Sequence, residues 1–414
     1  MAPSGARSLA PLFPIDLTEV PGLDDWAAPD GIIGEAEALA ARTYGVKTAR
    51  LITTGSSTAL TIAIAASLGE GDMLLAHRGV HRSILHGLLV ARARLTLIAD
   101  AWSEPFGVSW PDVTAMIEAV HRLRPKAVVV TSPTFTGLAP DITPLVDAAH
   151  EEGALVIVDA AHGAHFGHPG MPPLASSTAA DLIVFGMHKS GGALTAGSLL
   201  GIGQRADTGR VQLFCRALST SSPAYPVMAS IDLAVRSWAN GEAPRLLATS
   251  IGTMSGLRGE GVFKAPPDVP RDPSRVVMAP LAEATFARHG IVPEYISEGH
   301  ALLLAPLGLP ALPRPFLDEV RKAGPGPDLP APPQPEVTVH PWQATFAGEP
   351  PVWTPLTGAV GRVSADLLSP SPPGIPWVWP GEVIGNDIVE RLLSVRRPQR
   401  VLGMNARGEV LVAR

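Results

Sequence analysis

The chain has 414 residues, 46% hydrophobic and 17% charged, which is enough apolar material for a large core and too much for a disordered segment. Its 32 basic and 38 acidic residues leave a formal charge of −6, so no general basic field exists to attract nucleic acid or an anionic membrane. One cysteine, Cys215, excludes a disulfide framework and a multi-cysteine metal site and reads as a small, part-buried apolar residue.

The opening MAPSGARSLAPLFPIDLTEV lacks the apolar stretch of a signal peptide, and no run of about eighteen apolar residues follows it. A reducing cytoplasm is the expected compartment. Residues 1–30 are expected to form an arm, 31–262 a large domain and 263–414 a smaller α+β domain. Helical spacing covers 32–44 and strand character 50–53, after which a helix opens at Ser56. Apolar runs of strand length follow at 72–76, 96–99, 127–131, 155–159, 182–186 and 199–202, with helical stretches at 83–91, 111–123 and 142–151. Seven continuous apolar strands alternating with helices predict an α/β fold with a mostly parallel sheet covered on both faces.

Further along, 226–238 and 244–257 read as helices and the Pro-rich 263–273 as a linker. A strand at 275–279, a helix at 281–289, strands near Tyr295 and at 302–304, and a helix at 314–322 come next. The segment AGPGPDLPAPPQP at 323–335 cannot form a regular element and is a surface loop. A helix near 386–394 and a hairpin turning at 406–408 end the chain.

Three features carry chemistry. Thr53-Thr54-Gly55-Ser56-Ser57-Thr58 follows a strand and opens a helix, so hydroxyls and free N–H groups make a phosphate cradle. Asp159 ends the strand LVIVD, at the strand end where parallel sheets bind ligands. Lys189 follows the strand LIVFG directly, an unusual place for a lysine unless its amine has covalent work to do. Only five lysines occur in the chain, against 27 arginines, so such chemistry has few candidates. Cradle, carboxylate and lysine in this order are what pyridoxal 5′-phosphate requires. The cradle holds the phosphate, the carboxylate keeps the pyridine nitrogen protonated, and the lysine forms the Schiff base. His81, in Arg78-Gly79-Val80-His81-Arg82-Ser83, could stack on the ring.

These motifs, with SPTFTG, VDAAHGAHFG, HKSGGALTAGSLL, STSSPAYPVMASIDLA and PPGIPWVWPGE, resemble the Orn/Lys/Arg decarboxylases of pyridoxal-phosphate fold type I. The resemblance runs from about residue 23 to 382 and is patchy after Phe263. It implies an aspartate-aminotransferase-like large domain and decarboxylation of lysine, ornithine or arginine to the amine. It makes Lys189 the Schiff-base lysine, pairs Asp159 with the pyridine nitrogen, stacks His81 on the ring and gives the phosphate to Ser56, Ser57 and Thr58. It also places His162 near the cofactor and His188 as a proton donor. Ser219, Thr220, Ser221 and Ser222 would reach a neighbouring subunit's phosphate in a homodimer. Three positions depart from the family pattern. Gly186 stands where S-x-H-K has a hydroxyl, Ala160 replaces an acid, and Ser371 replaces an aromatic before Pro-Pro-Gly.

Alternatives remain at this level. Another reaction at Cα, such as transamination, would need a cation for the substrate carboxylate, and Arg362 is one candidate. A silent homologue serving as a binding subunit would be expected to have lost Lys189 or Asp159. Metal binding by His162, His165 and His168 is disfavoured by the intervening Gly163 and Gly167. Trp342, Trp353, Trp377 and Trp379 fit aromatic packing better than a ligand cage. Glu294, Glu298, Asp366 and Glu382 are the acids available for a substrate's distal cation.

Overall fold

Short runs of branched aliphatic residues, too apolar to face water on either side, become the strands of one sheet. The computed structural model describes residues 11–414 except 12, 21, 373 and 396–399. The sheet strands are β1 (Thr48–Ile52), β2 (Met73–His77), β3 (Arg94–Ile98), β6 (Ala127–Thr131), β7 (Leu155–Ala160), β8 (Leu182–Phe185) and β9 (Ser198–Ile202); a hairpin of β4 (Ala101–Ser103) and β5 (Val108–Trp110) intervenes. The order is β1-β9-β8-β7-β6-β2-β3, and β9 alone runs antiparallel to its neighbours. Every residue of β6, β8 and β9 is buried, as a sheet covered on both faces demands.

Helices α1 (Ile32–Thr43), α2 (Gly55–Ser67), α3 (Ile84–Ala91), α4 (Val113–Leu123), α5 (Thr143–Glu151), α6 (Thr208–Leu218), α7 (Tyr225–Ala239) and α8 (Glu242–Met254) surround it. The most enclosed is α2, which packs on β9, β8, β7 and β1 and on α3 and α6. The apolar pattern extended α4 back to 111, but the helix starts at Val113, because the Asp112 carboxylate accepts the Ala115 N–H at 3.0 Å and caps it. No helix was expected over α6, whose sequence TGRVQLFCRAL is polar on average; Asp207 caps it and Cys215 is its buried anchor. In the arm, the buried Trp26 donates to the Leu51 carbonyl at 2.6 Å.

Beyond α8, β10 (Arg275–Met278), β12 (Ala301–Leu304) and β11 (Tyr295–Ile296) form an antiparallel sheet in that order, with α9 (Glu283–Arg288) and α10 (Arg314–Lys322) beside it. The 263–273 segment is not a free linker. Phe263 N–H bonds the Val277 carbonyl at 3.0 Å, Asp272 N–H bonds the Gly137 carbonyl at 2.8 Å, and Asp272 is fully buried. These backbone bonds stitch it to β10 and to the loop after β6.

The last region holds α11 (Pro341–Phe346), β13 (Val352–Pro355), β14 (Ser369–Ser371), α12 (Asn386–Ser394), β15 (Arg400–Leu402) and β16 (Glu409–Val412). The expected hairpin is corrected: the chain turns at Asn405–Gly408, but β15 pairs with β14 and β16 with β13, leaving only a bridge between Met404 and Val410. The four tryptophans lie in different settings. Trp379 is buried, Trp353 is exposed and Trp342 lies under the Arg92 guanidinium at 5.0 Å.

One ion pair joins this tail to the large sheet. Arg78, just past β2, donates to Glu382 at 2.6 and 2.8 Å and to the Trp377 carbonyl at 3.0 Å, while Glu382 also accepts the Trp379 N–H at 2.8 Å. Glu382 is therefore not available for a substrate's cation. Removing one member of a buried pair strands the other charge. Glu382→Ala is accordingly expected to lower unfolding free energy by about 3–5 kcal/mol, read from a denaturant midpoint.

Candidate active site

The four strands β8, β7, β6 and β2 lie side by side and parallel, so their carboxyl ends form one edge. Thr131 registers with Asp159, and Asp159 with Val184, which keeps that edge even. From it leave the loops carrying Arg78–Ser83, Pro133–Thr136, Ala161–Gly163 and Gly186–Gly191. The last is a π-helical turn, Met187–Gly191, that presents His188 and Lys189 in succession. Trp238 of α7 holds it by donating to the Gly191 carbonyl at 2.8 Å. Gly186 is required at its entrance, because a Cβ there would lie 2.3 Å from the Ala161 carbonyl oxygen. The departure from S-x-H-K thus has a steric cause.

Lys189 is largely buried, and its Nζ lies 3.0 Å from His162 Nε2. On the other side of that ring, Nδ1 is 2.9 Å from Arg275 Nη2. Arg275 is wholly buried. It donates from Nε to Asp272 Oδ2 at 3.1 Å and from Nη1 to the Phe135 carbonyl at 3.1 Å. Asp272 is completed by His165 Nε2 at 2.8 Å and the Ser274 hydroxyl at 2.6 Å. Phe135 packs edge-on to His162 with centroids 5.6 Å apart. It also lines a cavity of about 510 Å³ together with Asp100, Tyr295, Glu298, His300 and Trp377. Asp159 is buried and accepts the Ala161 N–H at 3.1 Å.

Burial governs the protonation of this group. It pulls the Lys189 amine below the usual lysine range; Asp159 and Glu294 oppose that shift and Arg275 adds to it. Burial raises the Asp159 carboxyl, opposed by Lys189. His162 is held well below its ordinary value by burial, with Lys189 and Arg275 adding repulsion. His81 is pushed down to about 3 by burial, then by Lys189, Arg82 and His86. Burial alone would raise Asp272, but His165 and Arg275 outweigh it and hold it down to about 2.

His81 accepts the Ser83 N–H at Nδ1, 3.2 Å away, so its mobile proton sits on Nε2. Gly374 of the Pro-Pro-Gly turn lies against that edge. It has φ +86° and a Cβ position only 3.2 Å from Nε2, and its carbonyl accepts the Arg82 N–H at 3.1 Å. His188 donates from Nδ1 to the Gly197 carbonyl at 2.9 Å.

At the cradle, Thr54 precedes α2 without capping it through its side chain. Ser56 is buried and Ser57 exposed, while Thr58 turns its hydroxyl back to the Thr54 carbonyl at 3.0 Å, a use the sequence reading did not foresee. Ser219 ends α6, where Thr220, Ser221 and Ser222 are exposed. The Oγ atoms of Ser219 and of Ser190, which follows Lys189, are buried with no hydrogen-bond partner among the described residues. The three spaced histidines part company: His162 faces Lys189, His165 pairs with Asp272, and His168 stacks on Trp238 at 4.8 Å. Arg362 is exposed and donates to the Ala413 carbonyl.

Sequence reasoning missed Arg275 and Asp272. The available signal was DPSRVV, an arginine opening an otherwise apolar strand three residues after an aspartate.

The major-domain description of the Orn/Lys/Arg decarboxylases matches residues 10–261 and their C-terminal-domain description residues 332–401, so the chain belongs to this family. It is 29% identical to the uncharacterized protein YaaO of Bacillus subtilis, covering 92% of this chain and 85% of that one. It is 28% identical to the arginine decarboxylase of Halalkalibacterium halodurans, covering 89% and 82%. The fold matches the Francisella novicida lysine decarboxylase LdcF with a TM-score of 0.75 at 17% identity, over 97% of this chain and 74% of that one. The protein is a pyridoxal-phosphate-dependent amino-acid decarboxylase of fold type I.

The residues present fit that cofactor. A helix N-terminus without a side-chain cap and unpartnered buried hydroxyls suit a phosphate, and a buried carboxylate lies within electrostatic reach of a buried amine. None of the described helices is long and apolar enough to cross a membrane.

Three desolvated imidazoles, the part-buried His81 and His162 and the buried His300, are neutral in the fold and have pKa values below that of the unfolded chain. Acidification through about pH 6.5 therefore protonates the unfolded chain first and removes stability at these imidazoles, while the raised carboxyls of Asp159 and of Glu37, the latter pushed up to about 7 by burial, act in the opposite direction. The thermal midpoint of cofactor-free protein is expected to be several degrees lower at about pH 5 than at about pH 7.5, checked by scanning fluorimetry.

Proposed function

We propose that the protein decarboxylates a basic amino acid (lysine, ornithine or arginine) as a cytoplasmic homodimer, with Lys189 as the amine that holds the cofactor. The observation that supports this most directly is the buried Lys189 amine, 3.0 Å from His162 and electrostatically coupled to the buried Asp159. Bound pyridoxal phosphate supplies an electron sink for the electrons of the Cα–carboxylate bond. Asp159 would keep the pyridine nitrogen protonated, a role for which a buried carboxylate beside Lys189 is suited. His81 would cover one face of the ring, while His162 lies 3.0 Å from the Lys189 amine and His188 precedes it in the chain. The first turn of α2, with Ser56, Ser57 and Thr58, takes the phosphate through backbone N–H groups more than through hydroxyls, since Thr58 is already engaged. A second subunit brings Ser219 and Thr220 to its neighbour's phosphate, which accounts for an exposed Thr220–Ser222 segment beside an unpartnered Ser219 hydroxyl.

Among the candidate acids, Glu382 is held by Arg78, whereas Glu294 lies within electrostatic reach of Lys189 and Arg275. Glu294 is therefore assigned the distal cation of the substrate. The charge of a basic side chain would otherwise meet Arg275 uncompensated.

Incubation of purified holoprotein with a panel of amino acids is expected to release carbon dioxide with cadaverine, putrescine or agmatine. Keto acid without gas would replace this reading with transamination. Lys189→Ala should abolish the visible absorption of bound cofactor and lower kcat by more than about 100-fold. Glu294→Gln should raise KM for the basic amino acid about tenfold, equivalent to about 1.4 kcal/mol, with kcat nearly unchanged.

A further inference from the structure

We propose that Arg275 is a positioning residue that fixes the tautomer of His162 and thereby presents Lys189 as a free amine. The inference rests on Lys189 being the cofactor-holding residue.

A guanidinium is a donor only. Arg275 Nη2 lies 2.9 Å from His162 Nδ1, so Nδ1 must offer its lone pair. The side chain of Arg275 cannot turn away, because Nε is tied to Asp272 and Nη1 to the Phe135 carbonyl. His162 is neutral in this buried setting, so its one proton resides on Nε2. That nitrogen is 3.0 Å from Lys189 Nζ. An ammonium also has only donors, and two donors cannot share one hydrogen bond. The stable pairing is Nε2–H donating to a neutral Nζ. The proton arrangement at Lys189 is thus dictated two residues away, by a cation that never touches it and is itself locked by Asp272, His165 and Ser274.

The charged and titratable groups that face Lys189 from the surrounding elements are consistent with this. Asp159 on β7 and Glu294 before β11 favour its cation, whereas Arg275 on β10 disfavours it. His162, His81 and the adjacent His188 are each held below the ordinary histidine value, with Lys189 among the causes. Asp159 and the exposed Glu294 oppose this, but burial is the largest influence and leaves the amine below the usual lysine range, with the imidazole donor facing Nζ. The free base is the form that a carbonyl condensation requires, since a protonated amine has no lone pair to give.

The test reads the charge of Lys189 in full-length protein stripped of cofactor. Competitive acetylation with acetic anhydride across a pH series, followed by mass spectrometry, gives the labelling midpoint of each lysine. Lys47, Lys126, Lys264 and Lys322 serve as internal references. In the native chain Lys189 is expected to titrate below the other four. Arg275→Met should raise its midpoint by about one pH unit or more, a tenfold loss of free amine at a given pH. Arg275→Lys, which keeps a donor for Nδ1, should restore most of the effect. Should Arg275→Met fold poorly with Asp272 left alone, the double variant Asp272→Asn/Arg275→Met removes both charges together and must show the same rise. His162→Phe separates the relay from simple repulsion, because it keeps the guanidinium but removes the imidazole. A raised midpoint supports the relay. A native-like midpoint in His162→Phe, or in folded Arg275→Met or the double variant, overturns it. Adding pyridoxal phosphate to the native chain tests the underlying reading separately. A low, Arg275-dependent midpoint without a borohydride-trappable adduct at Lys189 would remove the proposed function and leave the inference standing.

Discussion

An amine withdrawn from water is the constraint around which this site is built. Lysine gives up its charge when it is desolvated and no opposing charge fully compensates. The carboxyl edge of a parallel sheet makes this possible because four neighbouring strands end there together and their loops close over one spot. The π-helical turn sets the amine inward, Gly186 lets that turn pass the Ala161 carbonyl, and the Trp238 indole clamps it. His162 then supplies a polar neighbour within hydrogen-bond reach. Each of these is a local consequence of residue type: a glycine with no Cβ, an indole with one donor, an imidazole with one proton.

Most of the large domain was legible in the chain because its strands are buried on both faces and so appear as unbroken apolar runs. Lys189 and Asp159 stood out for the same reason, as polar residues abutting such runs. What escaped was set by long-range pairing. The segment with Asp272 has the composition of a linker, and nothing local shows that its backbone binds the loop after β6. Arg275 looks like the first residue of a strand, and only the fold carries it to His162. The closing hairpin failed for a related reason: turn chemistry at Asn405–Gly408 was correct, but each flanking strand found a better partner elsewhere.

The spacing of His162, His165 and His168 shows how far a pattern can mislead without geometry. Three imidazoles at intervals of three suggest one ligand set. In the fold they serve three separate tasks: one beside the reactive amine, one in the ion-pair network behind it, and one stacked on the tryptophan that holds the turn. All three nonetheless support Lys189 at different removes, which ties a single loop to the position of one nitrogen.

The Arg78–Glu382 contact has a further implication for how such chains can be recombined. It spans 304 positions of sequence, and the same short loop that carries Arg78 carries His81, against which Gly374 is seated. A hybrid that grafts the tail of one chain onto the front of another keeps this contact only where the front supplies the arginine and the tail the glutamate. The two stretches that match separate family descriptions are therefore fastened to one another by a buried ion pair to which each contributes one charge.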